Sequence, residues 1–299
     1  MKTAALENAT VVSSRRNLVG DLAELVKARL TLLVLLTTAV GFYVGSEGAV
    51  DYMALAHVVF GTAAAAAGAA ALNQWWERTA DALMRRTKTR PVPAGRMPPA
   101  QALVFGIGLS VFGVLYLAVV CNFLSASLTA VTIAIYILAY TPMKRASTAN
   151  TAVGAIPGAI PPMIGWAAAR GNIGIGAWSL FAIIFLWQLP HFFAIAWMYR
   201  DDYSRAGFCM ISTDDRTGER SASQSVFFCI LLLVIAGLPA FLGIVNFGYM
   251  AAEIVLGGFF VAVAMRFLRL RTPSAARSLF FASIVYLPLL LAALVLTKS

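Results

Sequence analysis

Long apolar runs alternate with short polar joints along almost the whole chain. A run of about 17–25 apolar residues is long enough for a helix to cross the hydrocarbon core of a bilayer. Nine such runs occur, at roughly 30–46, 52–72, 101–120, 123–141, 151–169, 176–198, 224–245, 247–268 and 279–297. The pattern predicts an all-α integral membrane protein with nine transmembrane helices. Residues 1–20 read as a polar N-terminal tail and 21–299 as a single polytopic domain. The fifth run is the weakest, because it holds Pro157, Pro161 and Pro162 together with Gly154, Gly158 and Gly165. Prolines in a span are tolerated where neighbouring helices or a cavity satisfy the carbonyls they free. The Ala/Gly-rich stretch 61–72 predicts close helix packing.

Composition agrees with this pattern. Hydrophobic residues make up 60% of the chain, charged residues only 12%, and the mean hydropathy is +0.81. Soluble domains carry about a quarter charged residues. With the N-terminus on the cytoplasmic side, 21 of the 23 Lys and Arg residues fall in the tail and inner joints. Only Arg170 and Lys298 fall outside. This bias predicts a cytoplasmic N-terminus and an outer C-terminus. The net charge of +10 is spread over short loops and forms no basic face, which argues against nucleic acid as a partner. Cys121, Cys209 and Cys229 stand alone, so neither a disulfide framework nor a zinc site is expected. The first 20 residues lack the continuous apolar core of a signal peptide. That favours the cytoplasmic (inner) membrane of a prokaryote.

Candidate chemistry concentrates in the two longest inner joints. Asn73, Glu77 and Asp81 are spaced four apart and share one helix face at the end of the second run. Three oxygen-bearing side chains on one stripe can hold a hard cation such as Mg2+, with water and substrate phosphates completing its shell. Arg78, Arg85, Arg86, Lys88 and Arg90 follow and suit a phosphate-bearing substrate. The plainer reading is that Glu77 and Asp81 have emerged into water and pair with Arg78 and Arg85. In the second joint, Asp201 and Asp202 follow the sixth run, and eleven residues separate His191 from Asp202. On a continuous helix that spacing puts the two on one face. The Asp pair could hold a second ion, or could be a solvated helix end answered by Arg200 and Arg205. Lys144 and Arg145 occupy a third, shorter joint. They fit either phosphate binding or the inward charge bias alone. His191 lies within a span after Pro190 and is a functional candidate by position, whereas His57 reads as structural. Aromatics crowd the same depth, among them Tyr140, Trp187 and Tyr203. They fit an interfacial belt or a cavity wall that stacks on a planar ring or stabilises a carbocation.

Three stretches carry a family resemblance: NQWWERTADALMRRTKTRPVPAG at 73–95, YTPMKRASTANTAVGAIPGAIPPMIGW at 140–166, and FLWQLPHFFAIAWMYRDDYSRAGFCM at 185–210. The chain resembles the membrane prenyltransferases of the UbiA superfamily. Within it, the chain is similar to the protohaem IX farnesyltransferase (haem O synthase) branch. The resemblance implies a UbiA-like fold of nine helices around a central cavity that opens sideways to lipid, roofed by the two long cytoplasmic loops. It implies Mg2+ as cofactor, with Asn73, Glu77, Asp81, Asp201 and Asp202 as metal ligands. Farnesyl diphosphate and haem B are the implied substrates, with the lipid bilayer around them and a haem A synthase or oxidase assembly factors as candidate protein partners. Asn73, Glu77, Asp81, Asp202 and Lys144 become the implied catalytic set. Arg78, Arg85, Arg86, Lys88, Arg90, Arg145, Tyr140, His191, Trp187 and Tyr203 become the implied substrate-binding set. One departure stands out. The second acidic motif of the superfamily has two Asp residues four apart, whereas Trp197 and Met198 stand four before Asp201 and Asp202. Two other readings compete: prenyl transfer to an aromatic quinone precursor, and an organic-anion transporter with basic gates.

Overall fold

The computed structural model describes residues 18–299. The basic residues Lys2, Arg15 and Arg16, and most of the expected tail, lie outside the described residues. Leu18–Leu25 forms a short helix, α1, so the last residues assigned to the tail already belong to the folded body. Two links fix it. Arg96 bridges Asp21 at 2.7 Å and Glu24 at 2.8 Å. Gln74 donates through Nε2 to the carbonyls of Glu24 and Leu25. Lys27 then turns the chain with φ 49°, a left-handed conformation that costs a non-glycine residue roughly 1–2 kcal/mol.

The spans follow as α2 (Ala28–Gly45), α3 (Tyr52–Leu83), α4 (Pro99–Tyr116), α5 (Phe123–Ala134), α6 (Asn150–Ala159), α7 (Pro161–Arg170) and α8 (Ile175–Met198). Two short helices, α9 (Arg200–Arg205) and α10 (Ile211–Asp214), occupy the second long joint. α11 (Glu219–Ile235), α12 (Leu238–Phe241), α13 (Gly248–Leu270) and α14 (Pro273–Leu296) complete the chain. Among the described residues, nine helical segments are long and apolar enough to cross a membrane. α6 and α7 together form the fifth, broken at Ile160 where Pro161 and Pro162 follow. Proline lacks the N–H that a continuous helix needs. Side chains such as Val119 and Leu296, each 84% exposed, face outward and form the lipid-contacting surface.

The second span differs most from expectation. The apolar run ends at 72, but α3 continues to Leu83 as one helix of 32 residues. At 1.5 Å per residue that is roughly 48 Å, longer than the hydrocarbon core. Asn73, Glu77 and Asp81 therefore lie on the C-terminal extension of a spanning helix, at the end of the bundle labelled inner, rather than in a loop. Asp51 starts this helix by accepting from the amides of Met53 and Ala54.

The helices close into a ring. α2 packs on α7, α3 on α4, α8 on α11 and α14, α11 on α13, and α14 returns to α2. The tightest approach is α2 to α7. A Cβ at Gly41 would collide with the carbonyl of Pro162, and one at Gly165 with the carbonyl of Thr38. The outer half of the early helices is filled by a plug of Phe42, Val58, Leu117, Ala126, Ile160 and Ile164. The inner half of the same helices is hollow.

Candidate active site

The hollow is a cavity of about 330 Å³, walled by α2, α3, α5, α6 and α8 and roofed by the two long inner joints. Two features of the sequence place side chains on its wall. The four-residue spacing on α3 presents Glu77 and Asp81 together. A π-helical stretch at Ile135–Tyr140 continues α5 and carries Tyr136 and Tyr140 inward, their rings stacked 5.6 Å apart. Such bulges recur at functional sites.

Three cations meet three oxygen-bearing side chains at the inner rim. Lys144 Nζ donates to Glu77 Oε1 at 2.6 Å. Arg90 Nη1 donates to Asp81 Oδ2 at 2.7 Å. Lys27 Nζ donates to Asn73 Oδ1 at 2.6 Å, and lies 3.3 Å from the Tyr136 hydroxyl. Glu77 is 7% exposed, Asp81 1% and Asn73 0%. The predicted alternative partners, Arg78 and Arg85, are not used. Arg78 donates to the Trp75 carbonyl and covers that ring, and Arg85 is exposed. Burial pushes the Lys27 ammonium down to about 7, with the nearby Arg90 charge acting in the same direction. Burial also opposes the charge on Lys144, but the Glu77 carboxylate outweighs it and holds that pKa above the ordinary lysine value.

The rim suits a hard cation. Glu77 and Asp81 both line the cavity. Among the described residues, no hydrogen bond is made to Glu77 Oε2 or Asp81 Oδ1. No cluster of three His, Cys, Asp or Glu residues is found there either. A cation held here would complete its shell with water and phosphate oxygens, which is the coordination habit of Mg2+. Asn73 sits behind this pair. Its Oδ1 accepts from Lys27 and its Nδ2 donates to Thr141 Oγ1.

The remaining expected residues divide into two groups. Tyr140, Tyr203, Lys144, Arg86 and Arg90 line the cavity. Arg86 donates to the Tyr203 hydroxyl at 3.1 Å and lies over the Tyr199 and Tyr203 rings. Lys88 and Arg145 are exposed and do not line it. Asp201 and Asp202 do not face it either. They line a separate surface hollow with Arg85 and Arg205, where Asp201 is 84% exposed and 3.9 Å from Arg200, and Asp202 is bound by Arg205. Arg200 and Arg205 thus answer the pair, but only Asp201 is solvated, whereas Asp202 is buried. The shared face expected for His191 and Asp202 is also absent, because α8 ends at Met198 and a new helix begins at Arg200. His191 and Trp187 point away from the cavity toward α14. His191 Nδ1 lies 2.7 Å from Ser283 Oγ, stacked between Trp187 and Phe280. Trp187 donates to the Ser283 carbonyl. Their place as cavity-wall residues is corrected: both belong to the α8–α14 packing.

Residues that sequence reasoning left out also line the cavity, among them Lys27, Tyr136, Asn150 and Gln188. Lys27 was hidden because a basic residue before a span is explained by charge bias alone.

A family model described as the UbiA prenyltransferase family matches residues 34–285. The chain belongs to the UbiA prenyltransferase family. Protohaem IX farnesyltransferase of Solibacter usitatus (strain Ellin6076) is 42% identical over 287 residues, covering 93% of this chain and 98% of that relative. The protein of the same name from Opitutus terrae (strain DSM 11246 / JCM 15787 / PB90-1) is 44% identical over 280 residues, covering 93% and 95%. At that identity and coverage the chain falls within the protohaem IX farnesyltransferase branch of the family. The fold matches a digeranylgeranylglyceryl phosphate synthase with a TM-score of 0.78 at 15% identity, covering 93% of this chain and 98% of that one. It also matches a UbiA homologue from Archaeoglobus fulgidus bound to GPP and Mg2+, with a TM-score of 0.62 at 14% identity, covering 92% and 99%.

Proposed function

We propose that this chain transfers a farnesyl group from farnesyl diphosphate to a vinyl group of haem B, with addition of water, giving haem O. The observation that carries the reading is the paired rim of Glu77, Asp81, Lys144 and Arg90 above a largely apolar cavity. The rim is suited to a diphosphate and the cavity to its prenyl chain. The named relatives support haem as the acceptor.

Mg2+, held by Glu77 and Asp81 with diphosphate oxygens, would neutralise charge that builds on the leaving group. The chain's own residues do the rest. Lys144, Arg90 and Arg86 offer donors to the phosphate oxygens, where charge-assisted bonds are strongest. Lys27 adds a further donor at the same rim. The stacked Tyr136 and Tyr140 rings line the cavity beside Lys144 and Lys27, where their faces would favour a developing cation. The vinyl π electrons then bond to farnesyl C1. The resulting cation on the haem side chain takes up water and loses a proton, and diphosphate leaves. Met84, Phe208 and Met210 line the roofed end and restrict stray water.

The basic side chains gather at the cavity mouth, which supports the reading that the mouth and the N-terminus face the cytoplasm across a prokaryotic inner membrane. There a soluble diphosphate head would arrive. The packed cluster that fills the other half of the same helices argues against a transporter.

The test is incubation of the purified protein with haem B, farnesyl diphosphate and Mg2+, followed by mass spectrometry. A haem product heavier by farnesyl plus water is expected. Prenylation of a phenolic acid in place of haem would transfer the assignment to quinone-precursor chemistry.

A further inference from the structure

The turn between α13 and α14 carries Arg266, Arg269, Arg271 and Arg277 within one short stretch of chain. Arg271 donates to Glu219 Oε2 at 3.0 Å, which ties the end of α13 to the start of α11. That bridge places the turn at the same end of the bundle as the second long joint, which roofs the central cavity. Arg266 donates through Nη1 to Ser278 Oγ at 3.0 Å. Among the described residues, no carboxylate pairs with Arg266, Arg269 or Arg277, and all three are exposed.

Two of these arginines end a stripe that faces lipid. Val255, Phe259, Ala262, Arg266 and Arg269 recur every three or four residues along α13 and so share one face. Val255 is 70% exposed and Phe259 56%, which is a surface for acyl chains rather than for a neighbouring helix. The stripe is apolar until its last two members. There Ala262, Met265, Arg266, Arg269 and Leu270 line a surface hollow of about 460 Å³. None of them lines the central cavity.

The chemistry of the hollow narrows its occupant. A guanidinium presents a planar fork of N–H donors that matches phosphate oxygens. Arg266 gives one donor to Ser278, and Arg269 gives none to a described residue. Inward charge bias accounts for basic residues at this end. It does not account for an apolar hollow that runs from them into the lipid-facing stripe. A free aqueous anion would leave that stripe unused. A phospholipid uses both parts, with an acyl chain along Val255, Phe259 and Ala262 and its phosphate at the two arginines. A zwitterionic headgroup also brings a cation to a site with no carboxylate to receive it, so a net negative headgroup is favoured.

We propose that the Arg266–Arg269 hollow binds an anionic phospholipid from the leaflet at the cavity-mouth end. Anionic headgroups at a membrane surface attract basic side chains with a strength that grows with the number of charges. The site is independent of the prenyl-transfer reading, because it shares no residue with the central cavity.

The test titrates the purified full chain in detergent with phosphatidylglycerol or with phosphatidylcholine of the same acyl chains. Native mass spectrometry reads the affinity of the tightest-bound lipid. The wild type is expected to bind phosphatidylglycerol about 25-fold more tightly, at about fivefold per arginine near the headgroup. Arg266→Gln with Arg269→Gln is expected to remove most of that preference. A charge-matched control, Arg29→Gln with Arg145→Gln, takes two exposed residues at the same end but outside the hollow. It is expected to keep the preference. Equal affinity for the two lipids in the wild type would overturn the proposal. So would a preference that survives in the Arg266/Arg269 variant. An equal loss in the control would also overturn it, because net charge alone would then account for the binding. Thermal unfolding confirms that each variant is folded. If the double variant does not fold, Arg269→Gln against Arg29→Gln decides the question by the same ratio.

Discussion

Two regions of the molecule hold buried or half-buried cations, and they use them differently. At the inner rim, Lys144 and Arg90 bind the side-chain carboxylates of Glu77 and Asp81. At the opposite end, Arg170 and Lys298 line a larger cavity of about 660 Å³. There the partners are mostly backbone. Arg170 donates to the Gly45 carbonyl at 2.5 Å, and Lys298 to those of Tyr43 and Ser46 at 2.8 Å. These carbonyls end α2, where the last turn leaves acceptors without intrahelical partners. Cations there also complement the helix dipole. The outer pair is a clasp that ties the end of α2 to α7 and to the end of α14. The inner pairs join side chain to side chain, so each cation can exchange a carboxylate for a phosphate. Cavity size does not identify the reactive end, whereas the burial of the carboxylate partner does: Glu47, 2.7 Å from Arg170, is exposed, and Glu77 and Asp81 are buried.

The contrast leads to graded expectations. Asp81→Asn keeps the shape of the rim but removes a charge, and is expected to lower kcat by about 10²–10³-fold. Its thermal unfolding in detergent is expected to stay near that of the wild type. Normal turnover in this variant would remove the inner rim from the chemistry. Lys144→Met leaves the Glu77 carboxylate buried without its partner, and the stability loss is expected to be about 3–5 kcal/mol. Denaturant titration of the purified variant measures it, and double substitution with Glu77→Gln should recover most of the loss. Arg86→Ala is expected to raise KM for farnesyl diphosphate about tenfold, the effect of one charge-assisted contact. Arg85→Ala, its neighbour outside the cavity, should leave KM unchanged, so equal effects would mean that only net charge matters. The smallest effect is expected at the outer clasp. Arg170→Ala and Lys298→Ala should each cost about 1 kcal/mol of stability, with kcat/KM held.

The sequence made the spans legible because each carries a long apolar window with few charges. It made Glu77 and Asp81 legible because a four-residue spacing survives whatever surrounds the helix. Arg170 and Lys298 stood out as exceptions to the charge bias, but their purpose required knowing which carbonyls end α2. α8 was the least legible. It is hydrophobic on every side, so nothing in the sequence tells which residues face the cavity. Gln188 and Phe192 face it, while Trp187 and His191 do not. The break after Met198 was equally hidden, since no proline or glycine marks it. A face extrapolated from His191 to Asp202 therefore failed. Lys27 depends on a left-handed turn that local sequence does not announce.

The central claim is that the inner rim, and not the outer clasp, performs haem farnesylation. The direct measurement is the yield of farnesylated, hydrated haem by mass spectrometry from wild type, Asp81→Asn and Arg170→Ala, each confirmed as folded. The account predicts product from the wild type and from Arg170→Ala, and none above background from Asp81→Asn. Product from Asp81→Asn, or its loss from folded Arg170→Ala, would contradict it.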